Sequence, residues 1–184
     1  LIQMRHLEQI AKLKPRLKIA EKYAKANLAK EALEALEPLI SIDAPFSATV
    51  SAAKILQNSL EAAAATLLQI AVQDQLDGNW ITAEKRIAFV VNSYMGTDIG
   101  DLAHNHLRKF KKKRTYRAAA KAWQLLSKVP SNWENEAKSQ QLLEDAHAAS
   151  EVAEILKAID SFRTWKEQAL TEGEVKEAWD ALQP

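Results

Sequence analysis

Apolar residues recur at three- and four-residue spacing through most of the chain, which is the pattern of helices packed on one face. The clearest example lies between Gly78-Asn79 and Gly96-Thr97. Each glycine is expected to end a helix in the left-handed conformation, and each following Asn or Thr to cap the next helix. The apolar stripe between these turns consists of Ala83, Ile87, Val90, Val91 and Tyr94. The stretch 78–97 is therefore predicted to contain one helix with a glycine turn at each end.

The same periodicity predicts helices along the rest of the chain. The longest should cover 47–77, a stretch with neither Gly nor Pro. It is either one long helix or two helices joined smoothly near 62–65, and one helix is favoured because no residue there supplies a cap. A turn marked by Pro130 and Asn132 should separate the central helices from the C-terminal ones. In chain order the predicted helices are 1–13 and 15–26 (or one helix kinked at Pro15), 28–42 with a bend at Pro38, 47–77, one from Asn79, 97–113, 115–128, 133–147, 151–172 with Ser150 as its N-cap, and a short one after Gly173.

An alanine with similar surroundings recurs four times and suggests an internal repeat. The four anchors are Ala32, Ala83, Ala119 and Ala178, each on a predicted helix with further apolar residues at helical spacing. They lie 51, 36 and 59 residues apart, and the middle interval is close to the roughly 34 residues of a common helical-hairpin repeat.

The segment Gly78-Asn79-Trp80-x-x-Ala83, followed by Tyr94-x-Gly96-Thr97, resembles the second helix and exit turn of tetratricopeptide repeats. It is most similar to the divergent type of bacterial envelope proteins, such as the outer-membrane-assembly lipoprotein and the Tol–Pal-associated coordinator. The resemblance covers about 69–130 best. Met95 stands where proline is usual, and Asn27 and Arg114 replace the turn glycine. The resemblance implies stacked helical hairpins, a protein-binding role and a periplasmic or cell-envelope location.

Composition agrees with a helical protein, since 47% of residues are hydrophobic and only 4 are Gly and 5 are Pro. We predict an all-α fold, an array of about eight antiparallel helices with tetratricopeptide-like repeats. A single helical-repeat domain is expected over 1–184, with hairpin units near 15–45, 47–96, 97–130 and 132–184. No apolar run is as long as the roughly 18 residues of a membrane span, so no transmembrane segment is expected.

No motif for catalysis or cofactor binding is present in the sequence. Cysteine is absent, which removes thiolate nucleophiles and cysteine zinc sites. His104 and His106 are two residues apart and point to different sides of a helix, so they cannot share a metal ion. Neither a nucleophile elbow nor a glycine-rich phosphate loop occurs. We therefore expect no enzyme activity, no cofactor and no metal.

Charge is distributed unevenly along the chain. Residues 1–130 carry 20 basic and 12 acidic side chains, a net charge of +8, whereas 131–184 carry 5 and 12, a net charge of −7. Seven cations fall within 108–117 without one acid, and we call this stretch the basic segment. Its cations are Arg108, Lys109, Lys111, Lys112, Lys113, Arg114 and Arg117.

The basic segment has two interpretations. Cations at a helix C-terminus are favoured by the helix dipole without any partner. Alternatively, the segment contacts an anionic partner: the acidic stretch 131–184, an acidic lipid surface, or a nucleic acid with Phe110 and Tyr116 stacked on bases.

The five tryptophans divide into two groups. Trp80 and Trp123 are predicted to pack between hairpins, as buried aromatic residues commonly do. Trp133, Trp165 and Trp179 lie among charged neighbours. They are either anchors for a partner or a cap that seals the end of the array.

The expected function is a non-enzymatic protein–protein interaction or scaffold module with a protein partner. A nucleic acid or another polyanion bound through 108–117 is the first alternative and is less favoured, because the net charge of the whole chain is only +1. The second alternative is an accessory helical region of a larger multidomain enzyme.

Overall fold

The computed structural model describes residues 2–44 and 47–183. Within these ranges the chain forms nine α-helices, one short 3₁₀-helix (Pro130–Asn132) and no strand, which confirms the predicted all-α class. The helices are α1 (Ile2–Lys25), α2 (Ala29–Ile40), α3 (Ala48–Leu76), α4 (Trp80–Ser93), α5 (Asp98–Phe110), α6 (Arg114–Leu126), α7 (Glu136–Ala149), α8 (Ala153–Glu167) and α9 (Glu172–Leu182).

The chain divides into two compact units. Unit 1 contains the described residues of 1–68 together with 89–104, and unit 2 contains 69–88 together with the described residues of 105–184. Helices α3, α4 and α5 therefore contribute residues to both units.

The core of unit 1 is built where α1 and α2 pack together with the first half of α3. Pro15 lies inside α1, so the single helix forms rather than two helices. Asn27 ends the turn after α1 with a φ of +57°, which places an asparagine in the left-handed conformation that glycine usually takes. The buried residues of this core are Ala20, Ala35, Leu36, Leu39 and Ala53. The sequence Asp43-Ala44-Pro45 indicates a turn after α2, and Pro45 lies outside the described residues.

The core of unit 2 is larger and rich in aromatic rings. Helices α6, α7, α8 and α9 pack around Phe162, whose ring lies 5.1 Å from Trp179 and 5.0 Å from Trp165 between centroids. Buried aliphatic residues complete this core, among them Leu126, Val129, Ile155, Ile159 and Val175. Such ring pairs add to the free energy gained from area burial alone.

Several predicted boundaries in the C-terminal part were wrong. The helix expected over 151–172 ends at Glu167, because Ala169 adopts a φ of +54° and breaks it. The next helix starts at Glu172, capped reciprocally by Thr171 and Glu174, so Gly173 lies inside its first turn. Ser150 ends α7 rather than capping α8, and α7 itself begins later than predicted, after the cap Asn135.

One helix of the described chain, α3, is long and apolar enough to cross a membrane by length and composition, with a mean hydropathy of 1.2. Three charged residues, Lys54, Glu61 and Asp74, lie among its 29. A single helix of this kind is weak evidence for a membrane span, since core helices of soluble proteins and signal sequences can have the same length and composition. The described residues therefore contain no clear transmembrane segment.

Candidate functional site

A groove of about 970 Å³ crosses unit 1 and is lined by α2, α3 and the start of α5. We call it the α2–α5 groove. Helix α2 contributes one stripe of side chains that runs from its first turn to its C-cap: Lys30, Leu33, Glu34, Glu37, Ile40 and Ser41. Helix α3 contributes Gln57, Asn58, Glu61, Ala62 and Ala65. The remaining wall consists of Met95, Gly96, Thr97, Asp98, Ile99 and Leu102.

One face of α2 packs in the core of unit 1, and another face lines the groove. Its alanines and two leucines, Leu36 and Leu39, are buried in the core. Leu33 and Ile40 lie on another stripe and are only partly buried. Since residues three and four apart share a helix face, Glu37 lies beside both of these apolar side chains, and Glu34 lines the same groove. The groove therefore has apolar and acidic groups side by side.

The wall from α5 is held by a tight turn after Tyr94. The Thr97 hydroxyl donates to the Tyr94 carbonyl oxygen at 2.7 Å and accepts from the Gly100 amide at 3.2 Å. Gly96 has a φ of +83°, and Thr97 caps α5, so both predicted roles are confirmed. A Cβ on Gly100 would lie 2.0 Å from the Tyr94 carbonyl oxygen, so this close approach requires glycine.

Tyr94 anchors the turn to unit 1. Its side chain is buried, and the loss of solvent raises the pKa of its phenol above the ordinary value. Two residues of the groove wall remain exposed despite being large and apolar: Met95 is 57% exposed and Leu102 is 59% exposed. Exposed apolar side chains around a groove are a common feature of binding surfaces.

The groove carries a negative local charge. Glu34, Glu37, Glu61 and Asp98 line it against a single cation, Lys30, which makes a formal net charge of −3. Among the described residues none of these five forms an ion pair, and Glu61 accepts only a 2.9 Å hydrogen bond from Gln57. These carboxylates are therefore available to a ligand.

The predicted basic segment spans the end of α5, the turn 111–113 and the start of α6, all in unit 2. Its seven cations are exposed. Lys111 pairs with Glu84 at 2.7 Å. Lys113 donates to Gln75 at 2.9 Å and lies 5.7 Å from the centroid of the Trp80 ring. Within the described chain the other five cations form no ion pair: Arg108, Lys109, Lys112, Arg114 and Arg117.

Phe110 and Tyr116, which would stack on bases if the basic segment bound a nucleic acid, pack within unit 2. Phe110 is 1% exposed and packs against Trp80 and Tyr116, with ring centroids 5.4 and 5.1 Å apart. Tyr116 is partly buried, and burial together with its hydrogen bond to Glu84 raises the pKa of its phenol. In the alternative of nucleic-acid binding, Phe110 is therefore not an exposed surface for base stacking.

Two of the three candidate anchor tryptophans lie in the core of unit 2. Trp133 and Trp179 are each 5% exposed, and the Trp133 indole donates to the Leu170 carbonyl at 2.8 Å. Trp165 is partly buried against Phe162. All three tryptophans therefore contribute to packing in unit 2. Trp80 and Trp123 are likewise partly buried against the core, as expected.

One contact in unit 2 was missed by sequence reasoning. The cap expected from Asn79 is supplied by Glu154, whose carboxylate accepts from the amides of Ile81 at 2.8 Å and Thr82 at 3.2 Å. Glu154 lies on α8, and the sequence contains no signal that links it to α4. The groove carboxylates were also missed, although the i, i+3 pair Glu34 and Glu37 beside Leu33 was a usable signal.

No three His, Asp or Glu side chains lie close enough to hold a metal ion within the ranges that the structure describes. Comparisons of the chain with protein-family models, with curated proteins and with solved structures find no match. A function for this chain therefore has to be inferred from the shape and chemistry of its surfaces.

Proposed function

We propose that this protein is a non-enzymatic protein-interaction module that binds its partner in the α2–α5 groove. The observation that carries the proposal is the groove itself, where exposed Met95 and Leu102 stand beside carboxylates without ion pairs. Interfaces combine an apolar centre with polar groups that fix orientation, and this groove has both. Arrays of helices commonly bind partners in surfaces of this kind.

Selection from a random peptide display library on the full chain tests the proposal. Ala62 is exposed on α3 and lines the groove, so Ala62→Trp should obstruct it without disturbing the core. Ser51→Trp, at another exposed position of α3, is the matched control. Selected peptides should bind the wild type and Ser51→Trp equally and bind Ala62→Trp at least about tenfold more weakly, a loss of about 1.4 kcal/mol. The proposal is wrong if no peptide is enriched, or if enriched peptides bind both variants alike.

A second candidate function is the binding of a polyanion by the basic segment. It is favoured by the five exposed cations that form no ion pair among the described residues. It is opposed by the burial of Phe110, which leaves the segment without a free aromatic stacking surface. Contacts through phosphates alone would be strongly dependent on salt and independent of sequence.

A further inference from the structure

We infer that the partner held by the α2–α5 groove is a basic amphipathic helix of another protein. This inference rests on the proposed function and specifies its partner by the groove's shape and charge. Three observations lead to it: the length of the groove, the positions of its apolar residues, and its negative charge.

The groove has the length of a short helix. Its lining includes Lys30 in the first turn of α2 and Ser41 at the C-cap, so it runs along the whole of this 12-residue helix. At a rise of about 1.5 Å per residue, α2 is about 18 Å long. A partner helix of about three turns would match this length.

Apolar side chains of the groove come from all three lining helices or their flanks. Leu33 and Ile40 lie on α2, Ala62 and Ala65 on α3, and Met95 and Leu102 on the opposite wall. A helix binds such a groove with one apolar face, using residues at i, i+3, i+4 and i+7 as anchors. The two alanines on α3 have only a methyl side chain, so they leave more room for such anchors than a larger residue would.

The charge of the groove selects the sign of the partner's polar face. Its four carboxylates exceed its one lysine by three charges, in a region of the chain, 1–130, whose net charge is +8. This negative patch is therefore local and does not follow from the surrounding composition. Complementary charge across an interface steers encounter and rejects partners of like charge. Lys or Arg beside the apolar anchors would face Glu34, Glu37 and Glu61.

The basic segment of a second copy of this chain fits the groove less well, although it carries seven cations. The aromatic rings of that segment do not supply an anchor, because Phe110 is 1% exposed and Tyr116 packs against it. The segment also contains the turn 111–113 and is not a continuous helix. A partner that provides both apolar anchors and cations on one helix meets both requirements.

Fluorescence anisotropy with two designed peptides and the full chain tests this inference. Each peptide is a helix of about 12 residues with Leu at the four anchor spacings, and its remaining polar positions are Lys in one peptide and Glu in the other. The Lys peptide should bind at least about tenfold more tightly than the Glu peptide at low salt. This preference should shrink between about 50 mM and about 300 mM salt, because exposed charges are screened.

Variants in which carboxylates are replaced by amides show which residues cause the preference for the Lys peptide. The triple variant Glu34→Gln, Glu37→Gln, Glu61→Gln should lose most of the preference for the Lys peptide. The matched control is Glu8→Gln, Glu31→Gln, Asp101→Asn, which removes the same charge from exposed positions outside the groove lining. This control should keep the preference. Circular dichroism of both variants verifies that they are folded.

The possible results separate this inference from the proposed function. Equal binding of both peptides, or tighter binding of the Glu peptide, overturns the inference of a basic partner. The proposed function still stands in that case if the groove selects peptides from the library. Loss of the preference in both triple variants alike also overturns it, because net charge and not the groove would then be responsible. Concentration-dependent dimers of the wild type that Ala62→Trp abolishes would assign the groove to a second copy and overturn it as well.

Discussion

Glu154 holds Thr82 through two hydrogen bonds, since its Oε1 accepts from the Thr82 hydroxyl at 2.6 Å and from the Thr82 amide at 3.2 Å. Its other oxygen accepts from the Ile81 amide. The first amides of a helix have no partner inside the helix, so α8 completes the N-terminus of α4. This contact joins residues 72 positions apart within unit 2.

Replacing Glu154 with Ala should lower the free energy of unfolding by about 1–2 kcal/mol, as loss of an N-terminal cap does. Glu172→Ala is the matched control, because Glu172 is also an acid in the first turn of a helix but is exposed. Urea titration followed by circular dichroism measures both variants. Equal stability of the two would show that the Glu154 contact contributes nothing beyond the helix dipole.

Gly100→Ala should destabilise the turn that forms one wall of the groove. The added Cβ would lie 2.0 Å from the Tyr94 carbonyl, so backbone must move, at a cost of about 1–3 kcal/mol. Gly173→Ala is the control, because nothing lies within 4 Å of its Cβ position. That variant should be neutral or gain about 0.5–1 kcal/mol, since alanine favours helices over glycine. Thermal melts that rank the two variants in the opposite order would contradict the close approach.

Ala83→Leu and Ala119→Leu should each cost about 1–3 kcal/mol through overpacking. Both side chains are fully buried, as is Ala32, whereas Ala178 is only partly buried. Ala148→Leu at an exposed position of α7 controls for the larger side chain. Unchanged melting temperatures for both buried variants would contradict their assignment to tight helix contacts.

Stability should fall as the pH drops from about 7.5 through the ordinary histidine pKa of about 6.5. Burial, followed by the charges of Lys113 and Lys109, lowers the pKa of His106. The unfolded chain then binds a proton at a pH where the folded chain does not, so the loss of stability is complete below the lowered pKa.

His106→Gln should reduce this dependence of stability on pH. Denaturant midpoints at several pH values measure it, with His104→Gln, an exposed residue of the same helix, as the comparison. Identical slopes for the two variants would exclude His106 as the source.

Neutralising unpaired cations of the basic segment tests the second candidate function. Lys109→Ser, Lys112→Ser and Arg114→Ser together should preserve the fold, because none of the three forms an ion pair among the described residues. If the segment binds a polyanion, affinity for single-stranded RNA should fall and its salt dependence should weaken by about 0.7 in logarithmic slope per lost contact. The triple variant Lys14→Ser, Lys18→Ser, Lys54→Ser, at exposed positions outside the basic segment, serves as the control for net charge. Absence of RNA binding by the wild type would reject this function.

Much of the fold followed from local signals. Gly78, Gly96 and Thr97 have the predicted backbone roles, because a left-handed turn and a hydroxyl cap depend on only a few neighbouring residues. The long helix α3 was predicted from the absence of Gly and Pro. Prediction was wrong at Ala169, where a residue without a turn preference takes a positive φ. The next residue, Leu170, packs against the core of unit 2, and its carbonyl accepts from the Trp133 indole, which is a long-range contact that no local pattern describes.

Periodicity and composition are local properties of the chain, so they are sufficient to predict the helical class, the apolar stripes and the position of the basic segment. The tertiary structure determines which of these features remain exposed to a partner. It buried Phe110, Trp133 and Trp179, because their large apolar area is more stable away from water. It also brought carboxylates from α2, α3 and α5 into one groove, although Glu34 and Asp98 are far apart in sequence. Their proximity depends on long-range packing, which a single sequence does not reveal.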